Sequence, residues 1–256
     1  ALVSNWRRQD MDPLSVLVHV FEQLDMAYRN VSSREEDNAG CTALVVLIMP
    51  NETQEEDKLR LIVANAGDCR CIVAFGDPNA MHVDHAANGN GASANGHDEQ
   101  PTFKVLTRDH VASDPRERDL VEARGGYFDS QNGRVNGKLV VTRALGDFGV
   151  KPAISATPEI MELSLKHSEK DGGRIIVDQK GMKEVRSVEF LILATDGVWD
   201  VMDEATAVKL VKSTVRVANM AAKRIMMEAL ARGSTDNITV IVVFISEQDA
   251  IITTKA

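Results

Sequence analysis

Alternation between apolar and polar stretches along the chain predicts both helices and strands. From Asp12 to Tyr28 apolar residues recur every three or four positions, which is the spacing of one face of an α-helix. Asp12 as the N-cap and Pro13 at the first helical position mark where this helix begins. Short apolar runs bounded by polar turns are typical of buried strands. They cover residues 41–48, 59–64, 71–75, 103–107, 138–142, 190–194 and 238–245.

Three more helices are predicted further along the chain. Turn and capping residues place one from Asp114 to Gly125, one from Asp203 to about Val215, and one from about Asn219 to Arg232. The strands come in runs and the helices in blocks, without regular strand–helix alternation. This order favours an α+β fold, in which helices pack on the faces of antiparallel sheets.

Two segments differ from the rest in composition. Residues 77–102 contain a run rich in Gly and Asn, at 88–96, that cannot build a core. We therefore expect 77–102 to be a flexible surface insertion. Residues 167–187 are polar and charged, and we expect an exposed hairpin or loop there.

Composition and charge exclude several classes of protein. The hydrophobic fraction of 44% is ordinary for a globular chain, and the net charge of -9 argues against nucleic acid as the main partner. No stretch approaches the roughly 18 apolar residues that a membrane span needs. Cys41, Cys69 and Cys71 form an odd, sparse set, so a disulfide framework is not expected. We therefore expect a reducing compartment, the cytoplasm or the nucleus.

Four aspartates lie where predicted strands meet turns. Asp196 lies at the end of the strand at 190–194, separated from it by one residue, and Asp200 lies in the turn that follows. Asp68 lies in the tight connection between two other strands, and Asp236 comes just before the last strand. A single turn aspartate usually accepts a hydrogen bond from its own backbone. Four together favour a metal cluster, and carboxylate oxygens suit Mg²⁺ or Mn²⁺ better than Zn²⁺.

The same aspartates fall within three of seven short motifs that occur along the chain in the order typical of one family. They are Asn65–Arg70, Leu106–His110, Arg134–Gly137, Thr142–Asp147, Thr157–Ile160, Ala194–Asp200 and Gly233–Asn237. On these motifs the chain resembles the metal-dependent protein phosphatases of the PP2C type. The resemblance extends from about Gly40 to Ile245.

The resemblance implies a fold, an activity and a set of metal ligands. The fold would be two antiparallel sheets in a central sandwich flanked by helical layers. The activity would be hydrolysis of phosphoserine and phosphothreonine in protein substrates, by water activated at a two-metal centre of Mg²⁺ or Mn²⁺. Asp196 and Asp236 would hold the first metal, and Asp68 and Asp200 a third, weaker site. Asp109 and Asp147 recur in the motifs but are interpreted as structural.

One element of the family pattern does not occur in residues 1–256. The family has an Asp-Gly-His-Gly motif, whose aspartate bridges both metals, before the first packing helix; this sequence does not contain it. Two interpretations follow: a single phosphatase domain over 1–256 that lacks its N-terminal strands, or a catalytically inactive binding or scaffold domain. The four aspartates favour the first. The net charge disfavours a third option, a two-metal nuclease.

Overall fold

The computed structural model describes residues 12–35, 38–50, 58–76, 102–168, 174–177 and 187–245. The helices are α1 (Pro13–Glu35), α2 (Pro115–Ala123), α3 (Asp196–Trp199), α4 (Glu204–Lys212) and α5 (Ala218–Ala231). The strands are β1 (Gly40–Cys41), β2 (Ala43–Pro50), β3 (Lys58–Ala66), β4 (Arg70–Phe75), β5 (Phe103–Val105), β6 (Leu145–Gly146), β7 (Glu159–Ser168), β8 (Arg174–Val177), β9 (Val188–Ala194) and β10 (Val240–Phe244). The insertion predicted at 77–102 lies outside the described residues, apart from Thr102.

The described strands form two four-stranded sheets and one short ladder, all antiparallel. The first sheet has the order β2-β3-β7-β8, and the second has the order β10-β9-β4-β5. The short ladder joins β1 to β6. The predicted α+β fold is therefore confirmed.

One core lies between the two sheets and follows from the alternation of side chains along the strands. In β3, Leu59, Leu61 and Val63 are buried toward the second sheet, where they meet Val73 and Leu191. Because side chains alternate along a strand, the residues between them face the other way. Ile62 and Ala64 thus pack on the opposite face, against Leu17 and Phe21 of α1.

Helices also cover the outer face of the second sheet. Ile72 and Ile192 point away from the first sheet and contact Val208 of α4 and Ile225 of α5. Asp203 caps α4 as predicted, because its side chain accepts a hydrogen bond from the Thr206 N–H at 2.7 Å. The result is a sandwich with helices on both sides. Among the described helices, none combines the length and apolar character needed to cross a membrane.

Two local predictions need correction. Residues 138–142 do not form a strand; they make isolated bridges, such as Val141 with Val111, because Asn136 and Gly137 adopt positive φ and turn the chain back. Segment 167–187 does contain a hairpin, since β8 pairs with β7. It is not wholly exposed, because Ile175 and Val177 are buried between the sheets.

Candidate metal centre

Strand pairing brings the four predicted aspartates to one edge of the second sheet. Ala194, at the end of β9, lies opposite Arg70 at the start of β4 and opposite Val240 at the start of β10. Asp68 comes just before β4, Asp236 just before β10, and Asp196 and Asp200 just after β9. We call Asp68, Asp196, Asp200 and Asp236 the aspartate rim.

The turn after β9 is a short helix that folds back against its own strand. The Asp200 N–H donates to the Asp196 carbonyl at 2.8 Å, so the two aspartates lie one helical turn apart. Side chains four apart on a helix lie on the same face. Trp199 fixes the turn, because its Nε1–H donates to the Ala194 carbonyl at 2.8 Å.

The loop before β10 is joined to this turn by three side-chain hydrogen bonds. Ser234 Oγ donates to the Gly197 carbonyl at 2.6 Å. Thr195 Oγ1 donates to the Asn237 carbonyl and accepts from the Thr239 N–H, each at 3.1 Å. The segment that carries Asp236 is thereby held beside the segment that carries Asp196.

The carboxylates themselves are only partly satisfied by local hydrogen bonds. Asp196 Oδ1 accepts from the Gly197 N–H at 2.9 Å, and Asp236 Oδ1 accepts from the Asn237 N–H at 2.6 Å. These contacts match the ordinary behaviour of a turn aspartate. Each leaves the second carboxylate oxygen of the group free to accept another partner.

Electrostatic interactions show that the rim carboxylates lie within range of one another. Burial, followed by the charges of Asp196, Asp109 and Asp200, raises the pKa of Asp68 to about 6. Burial, followed by the charges of Asp236 and Asp200, also raises the pKa of Asp196. Like charges close together repel and disfavour ionisation. A bound cation would therefore reduce the repulsion between the ionised carboxylates of the rim.

Nearby acidic groups outside the rim are already paired. The Arg70 guanidinium donates to both oxygens of Asp109, with Nη2–Oδ2 at 2.6 Å and Nε–Oδ1 at 2.9 Å. Its Nη1 also donates to Glu204 at 2.6 Å, and the guanidinium lies 5.8 Å from the Trp199 ring centroid. Within the described ranges, no ion pair involves an aspartate of the rim.

The donor chemistry of the rim fits a hard divalent cation, but the described side chains do not complete a metal site. Oxygen donors with mutual repulsion are the ligands that Mg²⁺ and Mn²⁺ prefer. In the part of the chain that the structure describes, no group of three or more His, Cys, Asp or Glu side chains is arranged to hold a metal ion. The four assignments therefore remain predictions.

The cysteines near the rim are poor nucleophiles. Burial raises the pKa of the Cys69 thiol, which lies 3.3 Å from Thr42 Oγ1, and burial raises the pKa of Cys71 to about 12. Because only a thiolate attacks readily, neither thiol is suited to covalent phosphate chemistry.

Two residues at the base of the rim were not singled out from the sequence. His110 and Asn65 hold the Gly67–Asp68 turn by hydrogen bonds from outside it. His110 belongs to the motif at 106–110, but a buried histidine after a strand carries no periodic or metal-ligand signal. Its contact with Gly67 joins residues far apart in sequence, so only the folded chain reveals it.

Comparison with known proteins identifies the family. The family model for protein phosphatase 2C matches residues 3–172 and 179–238. A protein kinase and PP2C-like domain-containing protein of Oryza sativa subsp. japonica is 35% identical over 91% of this chain and 30% of its own length. Protein phosphatase 2C homolog 1 of Saccharomyces cerevisiae is 32% identical over 84% of this chain and 63% of its own length.

Solved structures agree with these sequence matches. A Caenorhabditis elegans sex determining protein superposes with a TM-score of 0.65 and 27% identity, over 100% of this chain and 54% of that one. A serine-threonine phosphatase 2C from Toxoplasma gondii shares the fold, with a TM-score of 0.60 over 95% of this chain and 74% of that one, at 19% identity.

The sandwich of two antiparallel sheets with helices on both sides is thus the fold of the PP2C phosphatases. This chain belongs to the protein phosphatase 2C family. It spans 30% and 63% of the lengths of the rice and yeast relatives.

Proposed function

We propose that the protein hydrolyses phosphoserine and phosphothreonine in other proteins, with Mg²⁺ or Mn²⁺ held in part by the aspartate rim. Family membership supports the reaction class. The observation that carries the proposal is the convergence of Asp68, Asp196, Asp200 and Asp236 at one sheet edge, where burial, and after it mutual repulsion, raises the pKa values of Asp68 and Asp196.

Within this proposal the rim residues hold and orient the cations. Asp196 and Asp236 would bind the first metal of a pair, and Asp68 and Asp200 would bind a third, weaker one. When bound, such cations supply polarisation of the phosphoryl oxygens and a water of lowered pKa. The residues of the rim would supply the charge and the fixed backbone geometry, since both turns are anchored by hydrogen bonds to neighbouring segments.

The proposed partners and compartment are supported by the family, the net charge and the cysteines. Phosphorylated proteins are the proposed substrates, and the net charge of -9 disfavours nucleic acid. The free cysteines, Cys41, Cys69 and Cys71, fit the proposed cytoplasmic or nuclear location, where thiols stay reduced.

The test is hydrolysis of an aryl phosphate and of a phosphothreonine peptide by the natural full-length protein. We expect turnover with added Mn²⁺ or Mg²⁺ and none in excess chelator. Asp196→Asn and Asp236→Asn should each remove most turnover and leave the fold intact, because an amide keeps the shape but loses the charge. Asp68→Asn should have a smaller effect. Full activity in chelator, or loss of activity only on thiol alkylation, would contradict the metal mechanism.

The second candidate function is that of a catalytically inactive binding or scaffold domain. It is favoured by one observation, that no described group of three acidic, His or Cys side chains is arranged to hold a metal. This alternative predicts that the full-length protein binds a phosphothreonine peptide without turning it over in Mn²⁺. Turnover that Asp236→Asn abolishes would rule it out.

A further inference from the structure

The turn that presents Asp68 is held by a reciprocal pair of hydrogen bonds with one buried histidine. The Gly67 N–H donates to His110 Nδ1 at 3.1 Å, and the His110 N–H donates to the Gly67 carbonyl at 3.0 Å. Gly67 has φ +126°, a conformation that side-chain-bearing residues rarely adopt. The unusual backbone next to Asp68 therefore depends on partners from elsewhere in the chain.

Asn65 also holds this turn, through the Gly67 carbonyl that accepts from the His110 N–H. Its Nδ2 donates to the Gly67 carbonyl at 3.0 Å and to the Arg108 carbonyl at 3.2 Å. Asn65 and His110 are each only 1% exposed, so water cannot replace these contacts. The connection between β3 and β4 is thus fixed by the segment that follows β5.

The main chain of His110 is anchored as well. Its carbonyl accepts from the Thr142 N–H at 2.8 Å. Its Nε2 lies 3.5 Å from Glu159 Oε2, and among the described residues it has no hydrogen-bond partner. Because the Gly67 N–H can donate only to an unprotonated Nδ1, the imidazole proton is on Nε2, toward Glu159. Burial and the charge of Arg143 lower the pKa of His110, which agrees with a neutral ring.

We infer that His110 is a positioning residue: through Gly67 it fixes the direction of the Asp68 carboxylate and so sets the affinity of the rim for a divalent cation. The inference rests on the proposed function, since Asp68 is one of the proposed metal ligands. His110 touches neither metal nor substrate. Residues behind a metal ligand that hold its orientation affect metal affinity through geometry alone.

The acceptor at Nδ1 can be removed or kept with two substitutions. His110→Leu keeps an apolar side chain of comparable bulk but leaves the Gly67 N–H without its partner. His110→Asn retains an oxygen acceptor at nearly the same position as Nδ1 but loses the rest of the ring. Both should lower stability, whereas only His110→Leu should release the Asp68 turn.

The experiment measures Mn²⁺ affinity of the full-length protein from the electron paramagnetic resonance signal of free Mn²⁺. We expect His110→Leu to weaken the weakest-binding class of sites by about tenfold or more and His110→Asn by much less. Asp68→Asn is the positive control, since it removes the ligand. Val121→Ala is the stability control, because this buried residue packs in a separate cluster away from the rim.

A second measurement does not require metal. Amide hydrogen exchange of Gly67 and Asp68 should speed up in His110→Leu and stay slow in His110→Asn and Val121→Ala. If His110→Leu does not fold, His110→Gln, whose acceptor is displaced by one methylene, takes its place in both measurements.

The outcomes separate this inference from the proposed function. Equal Mn²⁺ affinity in wild type and His110→Leu would overturn the positioning role while leaving the metal site intact. No Mn²⁺ binding by wild type would overturn the metal proposal and, with it, the effect of His110 on metal affinity; hydrogen exchange would then report only whether His110 holds the Gly67–Asp68 turn. Equal losses of affinity in His110→Leu and Val121→Ala would reduce His110 to a general stabilising residue and would also overturn the inference.

Discussion

Gly197 packs directly against the main chain of Asn237. A Cβ built on Gly197 would lie 2.5 Å from the Asn237 carbonyl oxygen, closer than real Cβ contacts occur. Gly197 follows Asp196 in the chain, and Asn237 follows Asp236. The absence of a side chain at this one position therefore lets the two segments that carry the proposed first-metal ligands lie side by side.

Gly197→Ala should push these two segments apart. Because the neighbour is main chain rather than the end of a flexible side chain, we expect a loss of unfolding free energy of about 1–3 kcal/mol, together with weaker Mn²⁺ binding. Urea unfolding and Mn²⁺ titration measure the two effects. Gly149→Ala is the matched control, since a Cβ there would meet nothing closer than 3.8 Å. Equal behaviour of the two variants would contradict the close packing.

The second prediction concerns the buried Glu117 on α2, which is 4% exposed. Its Oε2 accepts from Thr142 Oγ1 at 2.6 Å and from Arg143 Nε at 3.0 Å. Burial by itself would raise the pKa of Glu117, but the hydrogen bonds from Arg143 and Thr142 outweigh it and lower the pKa. The carboxylate thus stays charged because its partners are fixed around it.

Glu117→Gln should leave the largely buried Arg143 guanidinium, 14% exposed, without its counter-charge, at a cost of about 3 kcal/mol in unfolding free energy. Since the folded pKa is lowered, the contribution of Glu117 is present above its unfolded pKa and is lost as the pH falls. Urea unfolding across the acidic range checks both statements. Glu228→Gln is the control: its ion pair with Arg232 is exposed, so we expect a change of about 0.5 kcal/mol or less. Similar losses in the two variants would contradict the argument.

Much of the fold was predictable because burial in it is periodic. The apolar runs at 59–64, 71–75 and 190–194 became central strands, since a buried strand needs only local alternation and branched side chains to be recognised. The prediction of a strand at 138–142 was wrong because apolar residues can also be buried outside a sheet. Leu139 and Val141 are apolar because they pack against α2, and tight turns rather than a sheet place them there.

Residues of the candidate site could be predicted from the sequence only where a carboxylate side chain lies next to the end of a strand. The rim aspartates could be picked out because a carboxylate after a buried strand is conspicuous in sequence. His110 and Asn65 could not, because their role depends on hydrogen bonds across the fold rather than on spacing. The order of the strands in the sheet decides which strand ends lie close together. No local sequence pattern encodes that order.

The third prediction concerns stability in the absence of metal. The pKa of Asp68 is about 6 in the folded chain against an ordinary value of 3.8, so the folded state binds more protons between these values. Unfolding free energy should therefore fall as the pH rises through this window in chelator. Asp68→Asn removes a carboxylate charge that is partly buried and repelled by Asp196, and it should flatten the slope. At about pH 8 we expect the variant to be more stable by about 1 kcal/mol, a figure reduced for solvent screening. Thermal unfolding in chelator measures the difference in stability. A variant less stable than wild type at every pH would show that the Asp68 charge does not destabilise the folded chain.

The last prediction concerns the side of the sandwich where β2 and β10 are the outermost described strands of their sheets. Among the described strands, β2 ends the order of one sheet and β10 ends the order of the other. A cavity of about 200 Å³ opens between them, lined by Leu44, Leu193 and Ile241 among others. Ile48 on β2 is 43% exposed and Ile241 on β10 is 50% exposed.

Strands with free edges and exposed apolar side chains are templates for pairing with another chain, and a charge on the edge suppresses this. For the polypeptide 1–256 expressed alone, we therefore expect concentration-dependent association that Ile48→Lys or Ile241→Lys reduces. Neither substitution should cost much stability, because both side chains are already about half exposed. Light scattering against concentration measures association, and urea unfolding measures stability. Met227→Lys is the control, since Met227 is 57% exposed but lies on α5, where no strand edge is available. If Met227→Lys reduced association as much as the two strand variants, general surface charge rather than the edges of β2 and β10 would be the cause.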